Sequence, residues 1–303
     1  MSDIKLFAMS NGKASEILGS ATALEKSLQT AIERNLEALL GVRFLASEYN
    51  TGPKHRGRVD SLGIDENGCP VIIEYKRATN ENVINQGLFY LNWLLDHQAE
   101  FKILVMDKLG KKTAEEIDWS APRLLCIAGD FTRYDEQAVQ EMNRNIELIR
   151  YRKFGEGLLL FELVNATSAQ EPVVKGGRGT PSINVYKTIS ETLGDLQGPL
   201  RDLYEEVRAF LLALGDDVQA KVLKYYIAFR RIKNFASLEI HPAKGCLTVF
   251  VKLDPRETAL EAGFTRDVSK VGHYGTGDFE ITIRSREDLE KAKSLFIKSY
   301  EKN

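Results

Sequence analysis

Asp60, Glu74 and Lys76 set two carboxylates and an ammonium into apolar chain. Asp60 ends the run Gly57-Arg58-Val59-Asp60, and Glu74-Tyr75-Lys76 continues the run Val71-Ile72-Ile73. Charge in such surroundings is costly unless something pairs with it, and a divalent metal ion is the simplest partner. Hard cations such as Mg²⁺ or Mn²⁺ take carboxylate oxygens and keep several waters. Such an ion polarises a phosphodiester, stabilises developing charge and lowers the pKa of a bound water. A nearby lysine orients that water and offsets charge on the phosphate. Without the ion the two carboxylates repel, and Lys76 relieves them in part.

Strand geometry puts a condition on this chemistry. Side chains alternate faces, so Glu74 and Lys76 share a face with Ile72, and Asp60 shares one with Leu62 and Ile64. A two-residue Asn67-Gly68 turn would set Asp60 opposite Tyr75 and separate the carboxylates. A three-residue loop, Glu66-Asn67-Gly68 with Gly68 left-handed, sets Asp60 opposite Glu74, and this loop is the expectation. The competing reading is an edge hairpin with solvated surface charges. The run Val71-Ile72-Ile73 argues for a central, buried strand instead.

Neighbouring residues extend the pattern. Glu25 lies on the apolar stripe of a helix, at helical spacing from Leu28 and Ile32, where a carboxylate needs a partner. A first-turn acid favoured by the helix dipole is its plainer reading. Glu33 and Glu37 drift toward the polar side as solvated charges. Gln86 and Tyr90 lie one helical turn apart and share a face toward a metal site or a phosphate, with a core tyrosine and a surface glutamine as the alternative. Lys54-His55-Arg56-Arg58 either steers phosphate toward Asp60 or is an exposed basic loop.

The elements that must position these residues follow from periodicity. Leu24, Leu28, Ile32, Leu36, Leu39 and Leu40 predict one amphipathic helix over 22–40, stopped by Gly41. Strands are expected at 43–49, 58–64 and 70–76, a helix at 82–96, and strands at 101–106, 123–128, 146–151 and 158–163. Helix, strands, helix, strand implies an α/β fold, a mixed β-sheet flanked by helices. Residues 165–182, with Lys175-Gly176-Gly177-Arg178-Gly179-Thr180-Pro181-Ser182, read as a linker between 1–164 and 183–303. The second part reads as a smaller α+β domain. It has a helix at 193–214 extended by 220–229, a hairpin of 237–240 and 247–253, a strand at 279–283 and a closing helix at 286–300.

Composition narrows the function classes. The 303 residues are 43% hydrophobic and 28% charged, ordinary values for a globular protein. No apolar run reaches bilayer length and no signal-peptide core is present, so no membrane is expected. Cys69, Cys126 and Cys246 are scattered and odd in number, which suits structural thiols and a cytoplasmic location. Residues 1–164 hold 20 Lys and Arg against 24 Asp and Glu, and residues 183–303 hold 19 against 18. That balance weighs against a protein that coats nucleic acid, and less against an enzyme whose contacts are confined to one cleft.

Taken in order, Glu25, Asp60, Glu74-x-Lys76 and Gln86-x-x-x-Tyr90 resemble the RecB-like branch of the PD-(D/E)XK nuclease superfamily. Gly57–Arg77 looks especially like the nuclease domain of NucS-type mismatch endonucleases, and the resemblance covers about residues 20–130. It implies a restriction-endonuclease-like fold and a Mg²⁺- or Mn²⁺-dependent nuclease, with nucleic acid, expected to be DNA, as partner. By position, Asp60 and Glu74 bind the metal, Glu25 supports it and Lys76 assists the attacking water. Gln86, Tyr90, Arg58 and Arg77 hold the nucleic acid. Val59 stands where the motif often has Pro. The DNA-reading domain of NucS has no counterpart, so mismatch recognition is not implied. Residues 183–303 resemble a domain of unknown function that often follows such nucleases, with Arg230, Arg231, Lys233 and Lys244 as a basic face or as solvated charge. The alternative to a nuclease is a catalytically inactive nucleic-acid-binding or protein-interaction module on the same fold. A homodimer is open, as are repair, restriction and defence.

Overall fold

The computed structural model describes residues 4–20, 25–76, 83–167 and 187–303, without the side chains of Glu25 and Lys54. The chain separates into two units, Met1–Gln170 and Glu171–Asn303. The first unit begins with an exposed hairpin, β1 (Leu6–Ser10) and β2 (Lys13–Ile17), then β3 (Gly19–Ser20), α1 (Glu25–Glu33) and α2 (Leu36–Leu40). There follow β4 (Val42–Asn50), the short α3 (Gly52–His55), β5 (Arg58–Asp65), β6 (Pro70–Lys76), α4 (Val83–Asp96), α5 (Gln98–Leu109) and α6 (Lys111–Glu115). The unit ends with β7 (Arg123–Ala128), α7 (Arg133–Gln140), β8 (Asn145–Phe154) and β9 (Leu158–Ala166).

Its described strands form a seven-stranded sheet in the order β3-β8-β7-β6-β5-β4, with β9 also on β8. Pairing is antiparallel across β4, β5 and β6, parallel across β6, β7 and β8, and antiparallel again at β9. This is the mixed α/β sheet expected. Leu62, Ile64, Ile72, Leu124 and Leu148 pack with Ile84, Leu91, Trp93, Phe101 and Val105 of α4 and α5. On the other face, Ser61 donates its hydroxyl to Glu33 of α1 at 2.6 Å.

The β5–β6 hairpin closes through the three-residue loop Glu66-Asn67-Gly68. Asp65 N–H donates to Cys69 O at 2.9 Å, and Gly68 sits at φ +78°, a conformation an L side chain resists. Asp65 Oδ1 accepts the N–H groups of Asn67 and Cys69, both at 2.9 Å. Its Oδ2 accepts from Arg123 Nη1 at 2.8 Å, and Arg123 forks onto both carboxylate oxygens of Glu147 at 2.9 Å. All three side chains are buried. The loop is thereby tied to the first residues of β7 and β8.

Several boundaries depart from the periodicity. The helix expected over 22–40 breaks after Glu33, where the Asn35 side chain donates to Ala31 O at 3.0 Å and competes with the helical ladder. Residues 101–106 are helical within α5, not a strand; Phe101 and Val105, one turn apart, are its inward residues. A short apolar run carries either period. Asn165 and Ala166 belong to β9 rather than to a linker, and Thr167 N–H donates to Ile146 O at 2.8 Å. The remainder of the linker, 168–182, lies outside the described residues. The β1–β2 hairpin has no counterpart in the sequence reading.

In the second unit, α8 (Ile189–Asp195), α9 (Pro199–Leu212) and α10 (Arg286–Lys302) pack on an antiparallel sheet. Its strands are β10 (Gln219–Val222), β11 (Ile227–Arg230), β12 (Asn234–His241), β13 (Cys246–Val251), β14 (Thr265–Asp267) and β15 (Phe279–Ile283), in the order β10-β11-β12-β13-β15-β14. The helix expected at 193–214 is broken at Gly198-Pro199, and 220–229 pairs as strands instead of extending it. Arg230 is buried and bonds backbone carbonyls, and Arg231 bonds Asp217 at 2.7 Å, so these two do not make an open basic face. The three cysteines are buried thiols. Among the described residues no helix is long and apolar enough to cross a membrane.

Removing the cation from the buried triad leaves two carboxylates unpaired, so Arg123→Ala should destabilise the first unit by about 3–5 kcal/mol. Urea unfolding followed by circular dichroism reads this loss, and a loss below about 1 kcal/mol would mean that the triad does not hold the hairpin.

Candidate active site

The register of the β5–β6 hairpin carries directly into the site. Ser61 pairs with Ile73 and Leu62 with Ile72, so Asp60 lies opposite Glu74. At this open end the two carboxylates replace backbone partners. Asp60 N–H donates to Glu74 Oε1 at 3.1 Å, and Asp60 Oδ2 accepts from Tyr75 N–H at 3.0 Å. Each acid is therefore held by the opposite strand.

Glu74 is fully buried, and its Oε2 has no hydrogen-bond partner among the described residues. Burial, then the neighbouring Asp60 charge, pushes its carboxyl up to about 9, against smaller pulls from the Asp60 N–H bond and from Lys76. Its neighbour in the parallel pairing is Cys126, a buried thiol that burial holds well above its ordinary range. Lys76 lies half-buried at the end of β6.

Helix α1 anchors the same end of the hairpin. Gln29 donates from Nε2 to Asp60 O at 2.7 Å, to Glu33 Oε1 at 2.9 Å and to Ser47 Oγ at 3.2 Å. Glu33 meets Ser61 one turn further along, so α1 runs alongside β5, and Glu25 starts the helix one turn before Gln29. The Glu25 backbone is thereby about 6 Å along the helix axis from Gln29. The Glu25 side chain lies outside the described residues. Glu33 is bound to Ser61 and Gln29, not a solvated charge: the stripe that looked polar faces a hydroxyl on the sheet.

Tyr90 is buried against the start of β5. Its hydroxyl accepts from Arg58 N–H at 3.2 Å and from Gln86 Nε2 at 3.4 Å. A Cβ on Gly57 would come within 2.5 Å of the Tyr90 ring, so glycine permits this approach. Tyr90 thus fixes the backbone two residues before Asp60, while Gln86 is half-buried beside it. The Arg58 side chain is exposed and pairs with Glu48 at 3.2 Å. Arg77 lies outside the described residues.

Glu48 was not anticipated. Ser47 pairs with Ser61 and Tyr49 with Val59, which sets Glu48 opposite Asp60 and completes a row of acids across β4, β5 and β6. Its bond to Lys26 at 2.8 Å, helped by Arg58, holds its carboxyl below the ordinary range. Glu48 adopts φ +51°, which interrupts the alternation of β4, so residue spacing carried no signal for its position. Among the described residues no group of three or more His, Cys, Asp or Glu is arranged to hold a metal ion. Two carboxylates converge, one with a buried oxygen lacking a partner, and that donor set fits a hard cation.

A protein from Haemophilus influenzae described as uncharacterised is 30% identical over 302 residues, covering 96% of this chain and 98% of its own length. The chain belongs to the family of that protein. Within this family member, residues 189–303 match the model of a domain of unknown function, DUF5655. Among solved structures, a repair endonuclease from Pyrococcus abyssi aligns with a TM-score of 0.29 and 18% identity. The alignment covers 42% of this chain and 47%, about half, of that one. Similarity at that level says nothing about activity.

Glu74 gives a pH signature in the absence of any metal. Its folded-state pKa of about 9 lies above the unfolded value near 4.5, so the folded form binds the extra proton. Stability is fully present below the unfolded pKa and is lost as pH rises through about 9. In chelator, the melting temperature of the parent should fall between pH 6 and pH 9 relative to Glu74→Gln, which has no charge to bury. Parallel melting curves for the two proteins across that range would remove this account of Glu74.

Proposed function

We propose that the first unit is a divalent-metal-dependent nuclease that hydrolyses phosphodiester bonds, with DNA as its substrate. The observation that carries this reading is Asp60 beside Glu74, with Glu74 Oε2 buried and lacking a partner among the described residues. A protein does not gain stability by burying a carboxylate beside another acid. Such a pair is what a cation site requires.

Asp60 and Glu74 would hold Mg²⁺ or Mn²⁺, and by the resemblance Glu25 would support the ion. When bound, the ion supplies positive charge to the scissile phosphate and lowers the pKa of water. The chain's own groups do the rest. Reciprocal backbone bonds fix both carboxylates, so little reorganisation is needed when substrate arrives. Lys76, two residues beyond Glu74 on the same face, offsets negative charge as it builds on the phosphate oxygens. Arg58, exposed at the rim, exchanges Glu48 for a backbone phosphate, and Gln86 donates nearby. The family relationship is consistent with this reading and silent on its chemistry.

The test is cleavage of labelled single-stranded and duplex DNA by the full chain in Mg²⁺ or Mn²⁺. Asp60→Ala and Lys76→Ala should each lower the rate by about 100-fold or more. Equal cleavage by parent and variants would mark a contaminant and sink the assignment. DNA binding without cleavage in either metal would support the inactive binding module instead.

A further inference from the structure

Beside the carboxylates, the first unit carries a preformed aromatic and basic ledge. Residues 51–57 form a closed loop. Thr51 N–H and its hydroxyl both donate to Gly57 O at 3.0 Å, and Gly57 N–H donates back to Thr51 Oγ1 at 3.0 Å. Inside, Arg56 adopts φ +47° and its N–H donates to Gly52 O at 2.9 Å. A cavity of about 550 Å³ opens here, lined by Asn50, Gly52, Pro53, Arg56, Gly57 and Arg58. The loop leads into β5 three residues before Asp60.

Phe89 stands at the edge of this loop with 47% of its surface exposed. A lone exposed phenylalanine needs no explanation, but this one is held in place. Its ring is 5.4 Å from His55 on the loop and 5.8 Å from Tyr90, whose hydroxyl fixes Arg58. Behind His55 the rings continue. His97 is at 5.5 Å, and it stacks on Trp93 at 5.1 Å. His55 Nδ1 and Trp93 Nε1 are buried with no hydrogen-bond partner among the described residues. A ring in contact with a loop that bears two arginines, at the start of the strand that carries Asp60, matches a nucleotide better than a smooth duplex. The ring offers a π-face to a base, and the arginines offer charge to its phosphate. Bases in a duplex already stack on one another and do not present that face.

We propose that Phe89 and the 51–58 loop form a subsite for an unpaired nucleotide, its base stacked on Phe89 and its phosphate at Arg56, so that the substrate is a strand with unpaired bases. The choice of nucleic acid rests on the nuclease reading above; the stacking geometry does not. Because Phe89 is exposed, Phe89→Ala should fold normally.

The test is fluorescence anisotropy with the full chain in chelator, so that nothing is cut. The probes are labelled oligothymidylate, a strand of abasic sites of equal length, and a blunt duplex. The parent should bind oligothymidylate roughly tenfold or more tighter than the abasic strand. Phe89→Ala should bring it to the abasic level without changing abasic or duplex binding, and Phe89→Trp should restore the preference. Arg56→Gln should weaken binding to all three probes, as loss of a phosphate contact does. Equal binding of the base-bearing and abasic strands by the parent would overturn the subsite, as would a Phe89→Ala loss shared by all probes. Cleavage that depends on Asp60 without this base preference leaves the nuclease reading standing and removes the subsite. Base preference in a protein that cuts nothing does the reverse. If no probe binds, the subsite falls, and cleavage in Mg²⁺ or Mn²⁺ alone decides the nuclease reading.

Discussion

The buried contact among Asp65, Arg123 and Glu147 is the constraint on which the rest of the first unit depends. Side chains alternate with a period of two, so a slip of one residue between β5 and β6 would send Asp60 to the opposite face from Glu74. Asp65 prevents it from two directions. One carboxylate oxygen shapes the loop through Asn67 and Cys69, and the other takes Arg123 from β7. Arg123 in turn grips Glu147 on β8. The antiparallel and parallel halves of the sheet are thus aligned by one guanidinium, far along the strands from the acids it serves.

At the other end of the hairpin the physics is reversed. The triad pairs each of its two carboxylates with the guanidinium; the Asp60–Glu74 pair sets acid beside acid. Hydrogen bonds from opposing N–H groups hold the acids in position, yet Glu74 remains charge-averse because burial and the Asp60 charge outweigh the Asp60 N–H bond and Lys76. Meanwhile Glu48, next in the same row, is satisfied by Lys26 and Arg58. The row therefore runs from a settled acid on the edge strand β4 to an unsettled one on the interior strand β6. Arg58, shared between Glu48 and the rim of the cleft, joins the two regimes.

Much of this was legible from the chain. Asn67-Gly68 allowed two loops, and the chemical demand that Asp60 meet Glu74 selected the one found. The run Val71-Ile72-Ile73 marked a central strand, and β6 does lie between β5 and β7. Other features were not legible, for definite reasons. Phe101–Met106 is too short and too uniformly apolar to distinguish the two periods. Gly198-Pro199 splits a helix that residue spacing alone runs together. Glu33 looked solvated because its partner, Ser61, is on a strand 28 residues away. Arg123 and Glu147 showed no sign of function or of pairing, since ion pairs between distant residues leave no local pattern.

Glu74 has a consequence for how the site meets any ion. A carboxyl that keeps its proton up to about pH 9 must release it before it carries full charge to a ligand. Under the proposed function, occupation of the site would be an exchange, a proton leaving Glu74 as a cation enters. The same burial that makes the acid costly to ionise would then set hydrogen ions and divalent ions in competition for one side chain.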